Sequence, residues 1–156
     1  MLEAQPELDV LFVPVGGGSG AAGAAIVARA LRPGMRVIGV QAEGAPSAYL
    51  SWKQGRPVEA PAHTFAEGLA TGTPFELPQR ILRALLDDFV LVSDANIQAA
   101  VRLYLEHTHN LAEGAGAAAL AAARVHADGL RGQRVGVVLS GGNLSPEQLH
   151  KVLGCA

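Results

Sequence analysis

Cysteine is nearly absent from this sequence, since the 156 residues contain only Cys155, beside the C-terminus. A single cysteine cannot form a disulfide within the chain, so the sequence gives no sign of an oxidising compartment. We therefore expect a cytoplasmic protein that is stabilised by its hydrophobic core, because a chain of this length can bury one without cross-links. The same length predicts a single domain over residues 1–156.

Excess charge is also lacking, because 12 basic and 14 acidic residues give a net charge of -2. Binding to nucleic acid requires clustered Lys and Arg, so we expect no nucleic-acid partner. The apolar stretch from Ala115 to Ala123 is far shorter than the roughly 20 residues that span a bilayer. Glu3 and Glu7 stand where a signal peptide would carry basic residues. The sequence therefore predicts no membrane segment.

Glycine, in contrast, is plentiful, and its densest cluster follows the first apolar run. The run from Val10 to Val15 predicts a buried strand, and a small-residue helix extends to Leu31. Consecutive glycine N–H groups can close around a bound group, and a helix N-terminus adds unpaired donors and a positive dipole end. A phosphate-binding loop is therefore predicted at Gly16, Gly17, Gly18, Ser19 and Gly20. The alternative is a tight turn, which does not need three consecutive glycines.

Strands and helices are predicted to alternate along the rest of the chain. The predicted strands are 36–41, 89–92 and 134–139, and the predicted helices are 47–54, 76–87, 93–107, 112–127 and 145–153. This alternation predicts a doubly wound or three-layer α/β/α domain with a mainly parallel sheet. Ligands of such folds bind beyond the carboxyl ends of the strands. The glycine loop and the segment SGGN at 140–143 both follow predicted strands, so they could face one site.

The glycine loop also fits a dinucleotide fingerprint. Gly18, Gly20 and Gly23 match GxGxxG after a strand, and Glu43 ends the next strand about 20 residues further on. This pattern predicts an NAD-binding oxidoreductase, but it leaves Gly16 and Gly17 unexplained and gives residues 140–143 no role. A further alternative is a non-catalytic module that binds an anion or only a partner chain.

Six segments carry a resemblance that extends over nearly the whole chain. They are PVGGGSG at 14–20, VIGVQAEGAPSAYLSWKQGRPV at 37–58, FAEGLA at 65–70, DDFVLVSDANIQAAVR at 87–102, NLAEGAGAAALAA at 110–122 and VGVVLSGGN at 135–143. Their order and spacing resemble the threonine dehydratase and serine racemase family. The resemblance implies the tryptophan synthase β-like fold and the cofactor pyridoxal 5'-phosphate. It also implies an ammonia-lyase activity on L-threonine or L-serine that gives a 2-oxo acid.

The resemblance implies roles for individual residues. The loop Gly16–Gly20 corresponds to the one that holds the cofactor phosphate through backbone N–H groups. Ser140 corresponds to the hydroxyl that hydrogen-bonds the pyridine nitrogen, with a helix cap as the alternative. Gly68 corresponds to a glycine that lets a loop approach the cofactor. Glu113 corresponds to an acidic residue beside the cofactor, with a helix-dipole contact as the alternative.

A metal site is only partly matched. Glu43 corresponds to one carboxylate of a cation site in some family members. The second carboxylate of that site lies six residues further on, where this chain has Tyr49. Carboxylate ligands dominate such sites, so a divalent cation is doubtful.

The resemblance covers only the C-terminal half of a family member. The N-terminal half of the family contains the Schiff-base lysine and the small domain that binds the amino acid substrate. The lysines here are Lys53 and Lys151, and neither matches the cofactor lysine. Because this chemistry needs an activated lysine in the site, we expect a truncated or split enzyme that is inactive alone. Its exposed apolar surface is expected to bind the missing half or to form a homo-oligomer.

Overall fold

A parallel sheet of four strands lies at the centre of the molecule. In the computed structural model, which describes residues 1–154, the strands are β1 (Val10–Pro14), β2 (Arg36–Ala42), β3 (Asp88–Val92) and β4 (Val135–Val137). Their order in the sheet is β3-β2-β1-β4. The register pairs Val13 with Gly39 and Phe12 with Val137. Cys155 lies outside the described residues.

Within residues 1–154, six α-helices connect or follow these strands. They are α1 (Ser19–Leu31), α2 (Ser47–Gln54), α3 (Glu76–Leu85), α4 (Asp94–Leu103), α5 (Gly114–Val125) and α6 (Pro146–Leu153). Short 3-10 turns occupy Glu67–Leu69 and Ala127–Leu130, and a π-helical turn occupies Tyr104–Thr108. The predicted order of strands and helices is confirmed along the described chain.

Several of the predicted boundaries are wrong by at least two residues. Helix α5 ends at Val125 and not at 127, and β4 ends at Val137 and not at 139. Helix α3 ends at Leu85 because Asp87 turns its carboxylate to the strand, where it accepts a hydrogen bond from Val37 N at 2.7 Å. Helix α4 gives way to the π-helical turn at Tyr104. Helix α5 begins two residues later than predicted, since Glu113 has an extended backbone with ψ of 170°.

The strands alternate their side chains between two hydrophobic layers. Val10, Phe12 and Val40 pack on the face that is covered by α4, α5 and α6. Leu11 and Val13 pack on the opposite face, which is covered by α1, α2 and α3. A strand that is buried on both faces has a continuous apolar sequence, as Val10 to Val15 has. The predicted three-layer architecture is therefore confirmed.

The sheet order creates a crevice at the carboxyl ends of β1 and β4. From β1 the chain passes through α1 on one face to β2, whereas β4 follows α5 on the other face. Such a reversal is the usual ligand-binding point of open α/β sheets. The glycine loop follows β1, and residues 140–143 follow β4. Both segments therefore belong to the same edge of the sheet, as expected.

Within residues 1–154, no helix combines the length and the apolar character that are needed to cross a membrane.

Candidate functional site

The glycine loop joins β1 to α1, and its conformation requires glycine at one position. Gly18 is the N-cap of α1 and has a φ of 91°, a left-handed value that side chains oppose. A Cβ at Gly18 would lie only 2.9 Å from Pro78 Cβ and 3.3 Å from Leu82 Cδ1. Gly18 is therefore fixed by its backbone conformation and by the close packing of α3.

The amides of this loop have no partner within the described chain. Val15 N donates to Val40 O at 2.8 Å, and Ala22 N donates to Gly18 O at 2.9 Å. Between these two bonds, the N–H groups from Gly16 to Ala21 donate to no acceptor in residues 1–154, and α1 has no side-chain cap. Gly17, Ser19 and Gly20 are exposed. A loop of free amides at a helix N-terminus suits an incoming phosphate.

The loop around Gly68 lies directly against the glycine loop. A side chain at Gly16 would collide with the Gly68 carbonyl oxygen, and Thr71 Oγ1 donates to Gly16 O at 3.3 Å. On its other side, a Cβ at Gly68 would lie 2.8 Å from Ala115 Cβ, at the start of α5. Gly68 is thus held between the glycine loop and α5, where only a residue without a side chain fits.

Glu113 connects the start of α5 to the loop after β4. Its backbone N–H donates to Gly141 O at 3.1 Å, and its side chain makes no capping hydrogen bond. Glu113 Oε1 instead lies so close to Gly141 that a side chain there would collide with it. The same oxygen would lie 3.9 Å from a Cβ at Gly68. Although Glu113 stands at a helix N-terminus, its half-buried carboxylate is directed to the two loops.

Ser140 is exposed in the loop after β4. The helix-cap alternative for this residue is wrong, because Ser145 caps α6. Ser145 Oγ accepts a hydrogen bond from Gln148 N at 3.2 Å, and Gln148 Oε1 accepts one from Ser145 N at 3.0 Å. Ser140 therefore caps no helix, and it directly precedes Gly141, which contacts Glu113.

The remaining predicted site residue, Glu43, is exposed just beyond the end of β2. Its N–H donates to Val92 O at 2.9 Å, which continues the pairing of β2 with β3. Within residues 1–154, no group of three or more His, Cys, Asp or Glu side chains is arranged to hold a metal ion. The contacts that join Gly16, Gly68, Glu113 and Gly141 do not include Glu43.

The dinucleotide fingerprint fails at its third glycine. That glycine normally permits close packing of the helix on the strand. Gly23 instead lies on the exposed side of α1, and a Cβ there would meet no atom within 4 Å. The match to GxGxxG therefore follows from a helix of small residues, without the packing that the fingerprint requires.

Sequence reasoning missed Thr71, which helps to shape this site. Thr71 accepts a hydrogen bond from Gln41 Nε2 at 3.4 Å, while its carbonyl accepts one from Ser47 Oγ at 2.5 Å. It thereby connects β2 and α2 to the glycine loop. Gly141, which contacts Glu113, belongs to the segment SGGN that is expected from the sequence to face the site, but no individual role is predicted for it. Thr71 lies in an irregular loop, and no pattern there distinguishes it.

Comparison with known proteins identifies the class to which this fold and site belong. The model of the family described as "Pyridoxal-phosphate dependent enzyme" matches residues 1–141. The chain therefore belongs to the pyridoxal-phosphate dependent enzyme family, and pyridoxal phosphate is the cofactor of that family. The resemblance drawn from the six sequence segments is confirmed.

Particular relatives within this class are L-threonine ammonia-lyases. The chain is 33% identical over 154 residues to the one from Thermotoga maritima and 39% identical over 155 residues to the one from Geobacter sulfurreducens. Each alignment covers 98% of this chain and 38% of the relative. The chain therefore spans less than half the length of these curated relatives.

Solved structures confirm the fold. Superposition on the processed form of threonine deaminase isoform 2 from Solanum lycopersicum gives a TM-score of 0.94 at 31% identity, and covers 99% of this chain and 46% of that chain. Maize serine racemase gives a TM-score of 0.87 at 30% identity, and the superposition covers 98% of this chain and 48% of that chain. The predicted tryptophan synthase β-like fold is thus confirmed.

Proposed function

We propose that this chain binds the phosphate of pyridoxal phosphate through the loop Gly16–Gly20. In this proposal it is the cofactor-binding half of an L-threonine or L-serine ammonia-lyase. One observation carries the proposal: the amides from Gly16 to Ala21 have no acceptor in the described chain and stand at the uncapped N-terminus of α1. The kinship with L-threonine ammonia-lyases supports the reaction class.

The residues around the loop have separate roles in this proposal. The cofactor, when bound, supplies an electron sink for bond breaking at the α-carbon of an amino acid. The Ser140 hydroxyl forms a neutral hydrogen bond with the ring nitrogen, which adds no charge to the ring. Gly68 lets its loop pack between α5 and the glycine loop, since any side chain there would press on Ala115. Glu113 fixes the spacing of the two loops through its contact with Gly141.

The catalytic lysine is proposed to come from residues outside this sequence. Lys53 and Lys151 are both exposed, on α2 and α6. Lys53 Nζ lies 5.9 Å from the centroid of the Tyr49 ring, on its own helix. Neither lysine belongs to the segments that contact the glycine loop. We therefore propose that the pure chain releases no ammonia from threonine or serine.

Exposed apolar side chains support a partner that completes the site. Val27 and Leu31 on α1 are 49% and 64% exposed, and Leu77 on α3 is 65% exposed. Together with Met1, Leu2 and Val138, the first two line an apolar depression beside α1. Apolar surface of this kind favours association with another chain. The partner in this proposal is a complementing N-terminal half that carries the lysine.

Calorimetric titration of the purified chain tests the phosphate site. The two ligands are pyridoxal phosphate and 4'-deoxypyridoxine 5'-phosphate, which has no aldehyde and cannot attach to a surface lysine. Both are expected to bind saturably, and inorganic phosphate is expected to compete with both. Substitution Gly17→Asp should abolish binding by placing a negative charge in the loop.

The matched control is Gly23→Asp, because Gly23 is exposed on α1 with open space around it. This variant should bind both ligands normally. Binding that survives Gly17→Asp, or NADH binding in place of both ligands, would overturn the proposal.

A further inference from the structure

Gln41 is a polar residue in a strand whose buried part is otherwise apolar. Strand β2 includes Val37, Ile38 and Val40, and Gln41 is as completely buried as they are, with 0% of its surface exposed. Burying a primary amide is costly unless its oxygen and its nitrogen both have partners. In this structure both have one, and neither partner belongs to the sheet. The amide therefore has a role that an apolar residue could not fill.

The hydrogen bonds around Gln41 run in one direction. Tyr49 N donates to Gln41 Oε1 at 3.0 Å, and because a backbone N–H can only donate, this bond determines which end of the amide is the oxygen. Gln41 Nε2 then donates to Thr71 Oγ1 at 3.4 Å. Because Thr71 Oγ1 accepts from Gln41, its single proton is free to donate to Gly16 O at 3.3 Å. The series of donors that begins on α2 therefore ends on the glycine loop.

The backbone of Thr71 is held independently of its hydroxyl. Thr71 N donates to Leu69 O at 2.8 Å, and Thr71 O accepts from Ser47 Oγ at 2.5 Å. Ser47 is itself fully buried, at the start of α2. The Thr71 hydroxyl is consequently presented to Gly16 from a fixed position, so a substitution of this side chain alone can test its role.

The bond to Gly16 O determines where the next amide points. In a trans peptide the carbonyl of one residue and the N–H of the next point in opposite directions. Because Gly16 O is directed to Thr71, Gly17 N–H is directed away from it, at an exposed position of the loop. Glycine would permit this peptide to flip at little steric cost. A flipped peptide would present a carbonyl oxygen, which repels an anion, in place of an N–H donor.

We propose that Thr71 is a positioning residue for the phosphate loop and that Gln41 sets the direction of its hydroxyl. Thr71 holds the peptide between Gly16 and Gly17 in the orientation that offers its N–H to an anion. It acts only through this peptide and adds no charge to the site. Because the loop is proposed to bind phosphate, the role of Thr71 in ligand affinity rests on that proposed function.

The carbonyl carbon signal of Gly16 in the ligand-free chain tests the orientation without a cofactor. A carbonyl carbon resonates downfield when its oxygen accepts a hydrogen bond. Thr71→Val keeps the shape of the side chain but has no donor, so the signal is expected to move upfield, whereas Thr71→Ser should leave it near its original position. Gln41→Glu replaces the donor by a second acceptor, so the Thr71 hydroxyl should turn to the carboxylate and the signal should again move upfield.

Affinity for 4'-deoxypyridoxine 5'-phosphate is the second readout. Thr71→Val is expected to weaken binding at least about threefold, while Thr71→Ser should bind within about twofold of the unmodified chain. Thr73→Val is the matched control, because Thr73 is an exposed threonine in the same loop, and it should change neither readout. The two Thr71 variants decide the outcome even if Gln41→Glu does not fold.

The proposal is overturned if Thr71→Val leaves the Gly16 carbonyl signal in place or binds the ligand as tightly as the unmodified chain. It is also overturned if Thr71→Ser behaves like Thr71→Val in both readouts. Failure of the proposed function has a different signature, since the unmodified chain would then bind no phosphate ligand. The Gly16 carbonyl signal would still decide whether Thr71 orients the peptide.

Discussion

Gly16 lies in the glycine loop and Gly23 in the helix α1 that follows it. Of these two positions, only Gly16 requires glycine for packing. A side chain at Gly16 would collide with the backbone of Gly68, whereas one at Gly23 would enter open space. We predict that Gly16→Ala lowers the free energy of unfolding by about 1–3 kcal/mol and abolishes cofactor binding. Gly23→Ala should raise it by about 0.5–1 kcal/mol, because alanine favours the helix. Urea unfolding of both variants measures this difference, and equal effects would contradict the described packing.

Tyr104 carries a buried hydroxyl that has no partner among the described residues. Burial raises the pKa of Tyr104, because desolvation disfavours the phenolate. Below the ordinary pKa of about 10, Tyr104 is protonated in both the folded and the unfolded chain, so the free energy of unfolding keeps its full value. As pH rises through the raised pKa of the folded state, the unfolded chain ionises more readily and the free energy of unfolding falls. We predict that Tyr104→Phe is neutral or stabilises the protein by up to about 1 kcal/mol at pH 7.

The same Tyr104→Phe variant should lose less stability than the unmodified chain above pH 10. Thermal unfolding at pH 7 and at alkaline pH gives both quantities, with Tyr49→Phe as a second tyrosine for comparison. A loss of stability at pH 7 would mean that the Tyr104 hydroxyl has a partner and that its burial is not a cost.

At the level of elements, α6 is the helix whose start is most clearly determined by local sequence. Ser145, Pro146 and Gln148 form a capping box with proline at the first helical position. We predict that Ser145→Ala lowers the free energy of unfolding by about 1 kcal/mol and leaves cofactor affinity unchanged. Ser140→Ala should weaken cofactor binding and leave the free energy of unfolding unchanged, since Ser140 caps no helix. Unfolding and binding measurements on both variants are decisive, and a stability loss in Ser140→Ala would argue against its assigned role.

Elements with strong local signals could be predicted from the sequence. The continuous apolar run of β1 and the proline that follows α1 mark their positions closely. The end of α4 could not be predicted, because its helical pattern continues into a π-helical turn that ends at His109 with a φ of 55°. The sequence predicts the start of α5 two residues too early, because a segment of alanine and glycine has no apolar stripe to mark its first turn.

At the level of the whole molecule, the proximity of site residues depends on tertiary packing. The rule for strand ends placed the glycine loop and residues 140–143 at one edge of the sheet. The contacts of Gly68 with Gly16, and of Glu113 with Gly141, join residues far apart in sequence. Only the family resemblance pointed to Gly68 and Glu113. The hydrogen bonds of Gln79 and Arg83 to the backbone of α2 had no sequence signal, since they depend on how α2 and α3 pack together.

The proposal that the catalytic lysine lies on a separate N-terminal half also predicts the activity of the combined halves. The pure chain should release no ammonia from L-threonine, since neither Lys53 nor Lys151 belongs to the site. Adding an N-terminal half from an L-threonine ammonia-lyase, as a separate chain, should restore measurable ammonia release. The restored activity should disappear when the cofactor lysine of that half is replaced by alanine. Ammonia release by the pure chain would refute the proposal that another half supplies the lysine.

The measurement that tests the central claim most directly is a backbone amide spectrum of the chain during titration with pyridoxal phosphate. We predict that the amide signals from Gly16 to Ala21 shift saturably, because these N–H groups have no acceptor in the described structure. Inorganic phosphate should shift the same signals, while those of α6 should remain unchanged. Saturable binding of pyridoxal phosphate that leaves the amides from Gly16 to Ala21 unmoved would contradict the account.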